Sequence, residues 1–218
     1  MKKYVVKMTN EGGYTIVELL VAIAITGVFL AAIYSAYFSQ QRSTLAQEQV
    51  SAMQRNLRSA MYFMEKEIRM AGCDPTATTN AGIIQANENL MEFKGDMDGD
   101  GTMATDEHIT YSLSGADLAR NGNRIAENID AINFVYLDKD GTRLDDGAGN
   151  VTDPEKRDNI RSVQVTVVAR TGKEDPHYSD SSTYKNKLDE TIFTPAGNAV
   201  HFRRKVLRTS IKCRNLGL

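Results

Sequence analysis

Twelve residues, Asp96-Met97-Asp98-Gly99-Asp100-Gly101-Thr102-Met103-Ala104-Thr105-Asp106-Glu107, place acidic side chains at the spacing of a calcium loop. A hard divalent cation takes oxygen ligands, and the pattern Asp-x-Asp-x-Asp-Gly-x5-Glu gathers them around one ion. Asp96, Asp98 and Asp100 offer side-chain oxygens, Thr102 a backbone carbonyl and Glu107 a bidentate carboxylate. Gly101 permits the sharp turn, and Met103 supplies the apolar residue that such loops turn inward. The flanks read as strands, where an opening calcium switch has helices, so the expected cofactor is a structural calcium ion. A solvated acidic turn is the competing reading of the same residues.

The second chemical position is Glu18, a carboxylate inside an apolar run. From Tyr14 to Phe38 there are 25 residues, polar only at Thr15, Glu18, Thr26 and Ser35, with Gly27 in the middle. At ~1.5 Å per residue a helix of this length crosses the ~30 Å hydrocarbon layer. Lys2, Lys3 and Lys7 precede it, which leaves the first 13 residues in the cytoplasm and exports the rest. A secretory signal peptide has a shorter apolar region and its small-residue cleavage site after that region; here the small residues Gly12-Gly13 come before it. A carboxylate within hydrocarbon costs ~2.5–3.5 kcal/mol at the centre on insertion scales, and such residues are usually functional. Cutting between Gly13 and Tyr14 would create an α-amino group one helical turn from Glu18, available to the Glu18 of an adjacent helix. The alternative is a Glu18 that only reaches for the membrane surface.

The remaining reactive types form no catalytic set. His108, His177 and His201 are dispersed, and no His-Glu-x-x-His, Gly-x-Ser-x-Gly or phosphate-binding glycine motif occurs. No enzyme and no small-molecule substrate is expected. The formal net charge is −2, and removal of residues 1–13 leaves a chain of −4, so no general attraction to nucleic acid follows. Arg203, Arg204, Lys205, Arg208, Lys212 and Arg214 make the C-terminal stretch basic. Such charges protect an edge strand from pairing, and that reading is preferred over DNA binding. Cys73 and Cys213 are the only cysteines, and export to an oxidising compartment would favour one disulfide between them.

These residues need elements to hold them. Leu45, Met53, Leu57, Met61, Met64 and Ile68 recur at spacings of three, four or eight, which continues the apolar run as an amphipathic helix. Gly72 and Pro75 stop it. A helix over 15–71 would be ~85 Å long, and its stripe is read as the core of a domain in preference to a coiled-coil seam. Alternation and β-branched content predict strands over 90–94, 108–113, 131–137, 162–170 and 202–213, forming an antiparallel meander that covers the helix. Residues 171–199 are polar and read as a surface excursion or a partly disordered segment.

At this point the sequence resembles a family. Gly12-Gly13-Tyr14-Thr15-Ile16-Val17-Glu18-Leu19-Leu20 is similar to the signal of type IV prepilins and type II secretion pseudopilins. The resemblance implies cleavage after Gly13 by prepilin peptidase, methylation of the new N-terminus at Tyr14, and registration of incoming subunits by Glu18. Family members usually begin with Phe, and Tyr14 keeps the aromatic ring. Met64 to Gly72, His108 to Leu113, Asn133 to Tyr136, Ile160 to Val163 and Arg214 to Leu218 resemble the PilW group of minor pilins, itself similar to the J-type minor pseudopilins.

The organisation implied is α+β with a pilin fold: a leader at 1–13, a membrane and filament-core helix at 14–39, its amphipathic continuation at 40–72, and an exported β-sheet domain at 73–218. The implied function is a minor subunit that helps initiate or cap a type IV pilus near its tip. A type II secretion pseudopilin or a membrane-tethered calcium-dependent binding module are the alternatives. Other major and minor pilins are the expected partners. The expected location is the inner membrane, with the domain in the periplasm, and then the pilus.

Overall fold

A computed structural model describes residues 12–77 and 80–217. The expected leader residues 1–11, with Lys2, Lys3 and Lys7, lie outside them, as does Leu218. The chain divides into two compact units, Met1–Ala46 and Gln47–Leu218. One helix, α1 (Ile16–Met70), contributes to both.

In the first unit none of the described residues covers α1. Every large apolar side chain from Tyr14 to Phe38 is at least 50% exposed. This stretch is long and apolar enough to cross a membrane. A helix that is apolar all round satisfies its backbone internally and needs lipid or other helices on every side. Its mid-span hydroxyl is satisfied too, since Thr26 Oγ1 donates to the Ala22 carbonyl at 2.7 Å.

In the second unit the same helix buries one stripe: Met53, Leu57, Ala60, Met61, Met64 and Ile68. Leu45, expected on that stripe, is instead 51% exposed and falls in the first unit. The helix stops where Gly72 adopts φ +77° and donates its N–H to the Lys94 carbonyl at 3.0 Å. A side chain at Gly72 would collide with Leu216, so the stop also seats the C-terminal tail.

Two sheets pack on this stripe, where the sequence predicted one meander. The first is a five-stranded antiparallel meander of β1 (Gly82–Ala86), β2 (Leu90–Lys94), β3 (His108–Ser114), β4 (Asp117–Arg120) and β5 (Asn123–Ala126). The second holds β6 (Ile129–Leu137), β7 (Ser162–Arg170) and β10 (Arg204–Lys212) in the order β10-β7-β6, with α2 (Pro154–Asp158) before β7. The meander breaks because β4 and β5 are too short to carry it further. They are joined by Asn121-Gly122, both at positive φ, the preferred residues of a two-residue hairpin.

Residues 171–203 are an ordered excursion. They contain the hairpin β8 (Tyr184–Lys185) and β9 (Thr191–Phe193) and a short 3-10 turn, Gly197–His201. The excursion is fastened to β10 by Arg204, whose side chain is 0% exposed. Its guanidinium meets Asp130 at 2.6 Å and Asp180 at 3.2 Å, donates to the Ala199 carbonyl at 2.7 Å, and lies over the Phe193 ring.

Candidate functional site

The junction at the start of α1 is open. Among the described residues, Gly12 and Gly13 have no neighbour within 4 Å of a would-be Cβ, Tyr14 is 94% exposed, and no helix precedes Ile16. Three residues later Glu18 closes a capping box. Thr15 donates its N–H and its hydroxyl to Glu18 Oε2 at 2.8 and 3.0 Å, and the Glu18 N–H donates back to Thr15 Oγ1 at 3.2 Å. This reciprocal pattern satisfies orphan donors at the helix start. Thr15-Ile-Val-Glu18 is its sequence signature, and the sequence reading, occupied with the charge in the membrane, did not use it.

With that geometry in view, likeness to known proteins becomes informative. Residues 8–34 match the prokaryotic N-terminal methylation motif, which contains Gly13, Tyr14 and Glu18. Among solved structures the chain is similar to a type IV-like pilin from Thermus thermophilus at 13% identity, with a TM-score of 0.50, over 75% of this chain and 97% of that one. The fold is that of a type IV pilin. No curated protein matches the sequence. The motif and the fold together support assignment to the superfamily of type IV pilins and pseudopilins. Members of that superfamily are in general structural proteins that assemble with other pilins after prepilin peptidase has cut them.

In this pilin fold the acidic loop joins β2 to β3, strand to strand, as the flanks predicted. Asp96 is buried; its Oδ1 accepts from the Gly99 N–H at 2.6 Å and its Oδ2 from the Gly101 N–H at 3.0 Å. Glu107, also buried, accepts from the N–H of Met97 at 2.5 Å and of Ala104 at 2.9 Å. Oxygens of Asp96, Asp98 and Glu107 lie within 4.8 Å of one another. Three carboxylates at this separation match the donor set of a hard cation. Asp100 faces elsewhere: its Oδ1 accepts from Thr102 N and Oγ1 at 2.7 and 2.6 Å, and these bonds hold its carboxyl below the usual range. Of the five expected ligands the fold thus brings three side chains together.

The cysteines do not pair in the structure. Cys73 and Cys213 are free thiols, in contrast to the expected disulfide. The cause is local. Cys73 ends the α1 turn against the acidic loop, where its carbonyl accepts from Asp96 N at 2.8 Å. Cys213 faces the hydrophobic core, with its N–H donated to the Arg161 carbonyl. Burial, with Asp96 nearby, raises the Cys73 thiol, and burial pushes Cys213 up to about 12.

Three cations of the basic C-terminal stretch are engaged within the domain. Arg204 is buried as described, Arg203 pairs with Asp175 at 2.8 Å over the Tyr178 ring, and Arg208 donates to the Lys185 carbonyl at 2.7 Å. The histidines stay apart. His108 contacts Glu92, and His201 Nδ1 lies 2.8 Å from the Tyr178 carbonyl. The sequence reading missed the triad of Glu67, Tyr111 and Arg120, in which Glu67 of α1 accepts from the Tyr111 hydroxyl of β3 at 2.5 Å and from Arg120 Nε of β4 at 2.9 Å. No periodicity signals such a contact, since its members are 44 and 53 residues apart.

Proposed function

We propose that the chain is a minor pilin: a prepilin cut between Gly13 and Tyr14, held in the inner membrane by α1 with its domain in the periplasm, and then drawn into a type IV pilus near the tip. The observation that carries this is the open Gly13–Tyr14 bond immediately before a helix with uncovered apolar residues on all sides. The PilW-like stretches at 64–72, 108–113, 133–136 and 160–163 support a minor rather than a major subunit. The cut frees the Tyr14 amine, and Glu18, exchanging its Thr15 bonds for that amine on a neighbour, sets the register of the incoming helix. Glu18→Ala removes the charge from lipid, so insertion persists and incorporation is lost. N-terminal mass analysis of the cellular protein is the deciding experiment. A methylated chain starting at Tyr14 is expected, and a chain retaining residues 1–13 would overturn the reading.

The second proposal is a structural calcium ion held by Asp96, Asp98 and Glu107, with the Thr102 carbonyl completing the set. The burial of Asp96 and Glu107 favours it over a solvated acidic turn. The ion would supply positive charge among three carboxylates that otherwise repel one another, fixing the turn between β2 and β3.

A further inference from the structure

The face of α1 that points away from the sheets in the second unit carries a pattern that nothing within the domain uses. At ~100° per residue Arg55, Arg58, Tyr62 and Lys66 fall within about 80° of one another, opposite the buried stripe of Met53, Leu57 and Met64. Tyr62 is 67% and Phe63 51% exposed, and their rings meet edge to face at 6.0 Å. Arg55, Arg58 and Lys66 are exposed and make no ion pair or hydrogen bond among the described residues. The acidic residues nearest in sequence are engaged elsewhere: Glu65 with Arg69 of the same helix, and Glu67 with Arg120. On this face lie Glu48, two turns before Arg55, and at its edge Glu65, whose charge is taken by Arg69 of the same face. Arginine and tyrosine are the side chains that anchor interfaces, whereas solvated helix faces alternate both signs of charge.

We propose that this face is a docking surface for an acidic surface on a different subunit of the same filament. The proposal rests on the pilin reading above and specifies its partner. Charge complementarity selects the occupant. A second copy offering the same face would set three cations against three, and like-charge juxtaposition across an interface costs several kcal/mol. A partner with Asp or Glu facing Arg55, Arg58 and Lys66 would neutralise them and enclose the two rings. The contact would be heterologous, joining this face of one subunit to a different, acidic face of its neighbour in the filament.

The test uses the full chain in cells. The triple reversal Arg55→Glu/Arg58→Glu/Lys66→Glu is compared with Arg55→Lys/Arg58→Lys and with the wild type for N-terminal cleavage, cellular level and amount in sheared filaments. Cleavage and level are expected to be the same in all three. Incorporation is expected to fall about tenfold or more for the reversal, since each tenfold corresponds to a modest free energy, and to survive in the lysine variant. A reversal that is incorporated like the wild type overturns this proposal alone. A wild type that is cleaved yet absent from filaments removes the filament reading and this proposal together. Purified full-length protein is also titrated with a 30-nucleotide single-stranded DNA and with phosphatidylglycerol vesicles. Binding of either that the reversal abolishes, with incorporation unchanged, would reassign the face to a polyanion and overturn the proposal.

Discussion

The two stretches of α1 use the same apolar vocabulary to different ends. Before residue 46 its Leu, Ile, Val and aromatic side chains cover the whole circumference and none is buried. From Gln47 onward the aliphatic side chains retreat to one stripe, buried from Met53 to Ile68, while Tyr62 and Phe63 stay exposed off it. The difference teaches how to read burial from a pattern. A stripe of about a third of the circumference has an answer within its own chain, whereas a helix apolar all round asks for something the chain does not contain. The first stretch is therefore built to be covered by lipid or other helices, and the second to be covered by its own domain. Substitutions should separate the two functions.

The largest effect should arise where the domain holds a buried charge. Arg204→Ala takes the buried cation from Asp180 and from Asp130, which keeps Arg170 at 3.4 Å, and loss of one partner of a buried pair costs ~3–5 kcal/mol. Burial alone would raise the Asp180 carboxyl, but its bonds from Tyr184, Ser182 and Arg204 outweigh that and hold it below the usual aspartate range. Its contribution is therefore complete above the ordinary aspartate pKa and is lost as pH falls through the lower folded value. Urea unfolding of wild type and variant at neutral and acid pH should show the difference between them shrinking on acidification.

Next in size is the direct contrast between the stretches. Leu57→Ala opens a cavity under the sheets and should cost ~2–5 kcal/mol in domain stability. Leu20→Ala removes a comparable side chain from the exposed stretch, and the domain's melting temperature should not move. A shift for Leu20→Ala similar to that for Leu57→Ala would break the comparison, because the first stretch would then belong to the domain's core.

The acidic loop gives a middle-sized effect. An ion that binds only the native state stabilises by RT ln(1 + [L]/Kd), ~2.7 kcal/mol at a hundredfold excess over Kd. Extracellular calcium modules bind at ~10⁻⁴–10⁻³ M, and a loop between strands, without a helix pair to organise it, belongs in that range. The protein should melt several degrees higher in millimolar calcium than in chelator. Asp98→Ala or Glu107→Ala should remove the difference, while Asp100→Ala, whose carboxylate faces Thr102, should reduce it less. No calcium-dependent shift in the wild type would leave residues 96–107 as an acidic turn.

What the sequence disclosed follows the same division. The helix from Ile16 to Met70, strands β2, β3, β6, β7 and β10, and the strand-flanked acidic loop were legible because each is a local pattern: period 3.6, period 2, or fixed ligand spacing. Strands β4 and β5 were not, although Asn121-Gly122 marks their hairpin, because four-residue strands leave little alternation to read. The order within residues 171–203 was hidden for a different reason. A polar stretch looks unstructured until its partner is known, and Arg204, the partner, looked like one more cation on a basic strand. The same blindness affected the charged face of α1. Arg55, Arg58 and Lys66 read as ordinary solvated positions until the structure shows which carboxylates are engaged elsewhere.

The smallest effect concerns the first turn of the exposed stretch. Thr15 and Glu18 cap α1 reciprocally, and loss of a threonine cap costs ~0.5–2 kcal/mol of local helix stability. Thr15→Ala removes the hydroxyl that donates to Glu18 Oε2 and accepts from the Glu18 N–H, whereas Thr15→Ser keeps it. In detergent micelles the backbone amide of Glu18 should therefore exchange with solvent two- to thirtyfold faster in the alanine variant, the range that this cost implies at tenfold per 1.4 kcal/mol. The serine variant should match the wild type. The domain's melting temperature should be the same in all three, because the capping box lies in the exposed stretch, outside the core. Equal exchange in the alanine variant and the wild type would mean that the Thr15 N–H bond to Glu18 suffices as a cap, leaving the hydroxyl without effect. A lowered domain melting temperature would mean that the first turn of α1 supports the core, and the separation between the two stretches would not hold.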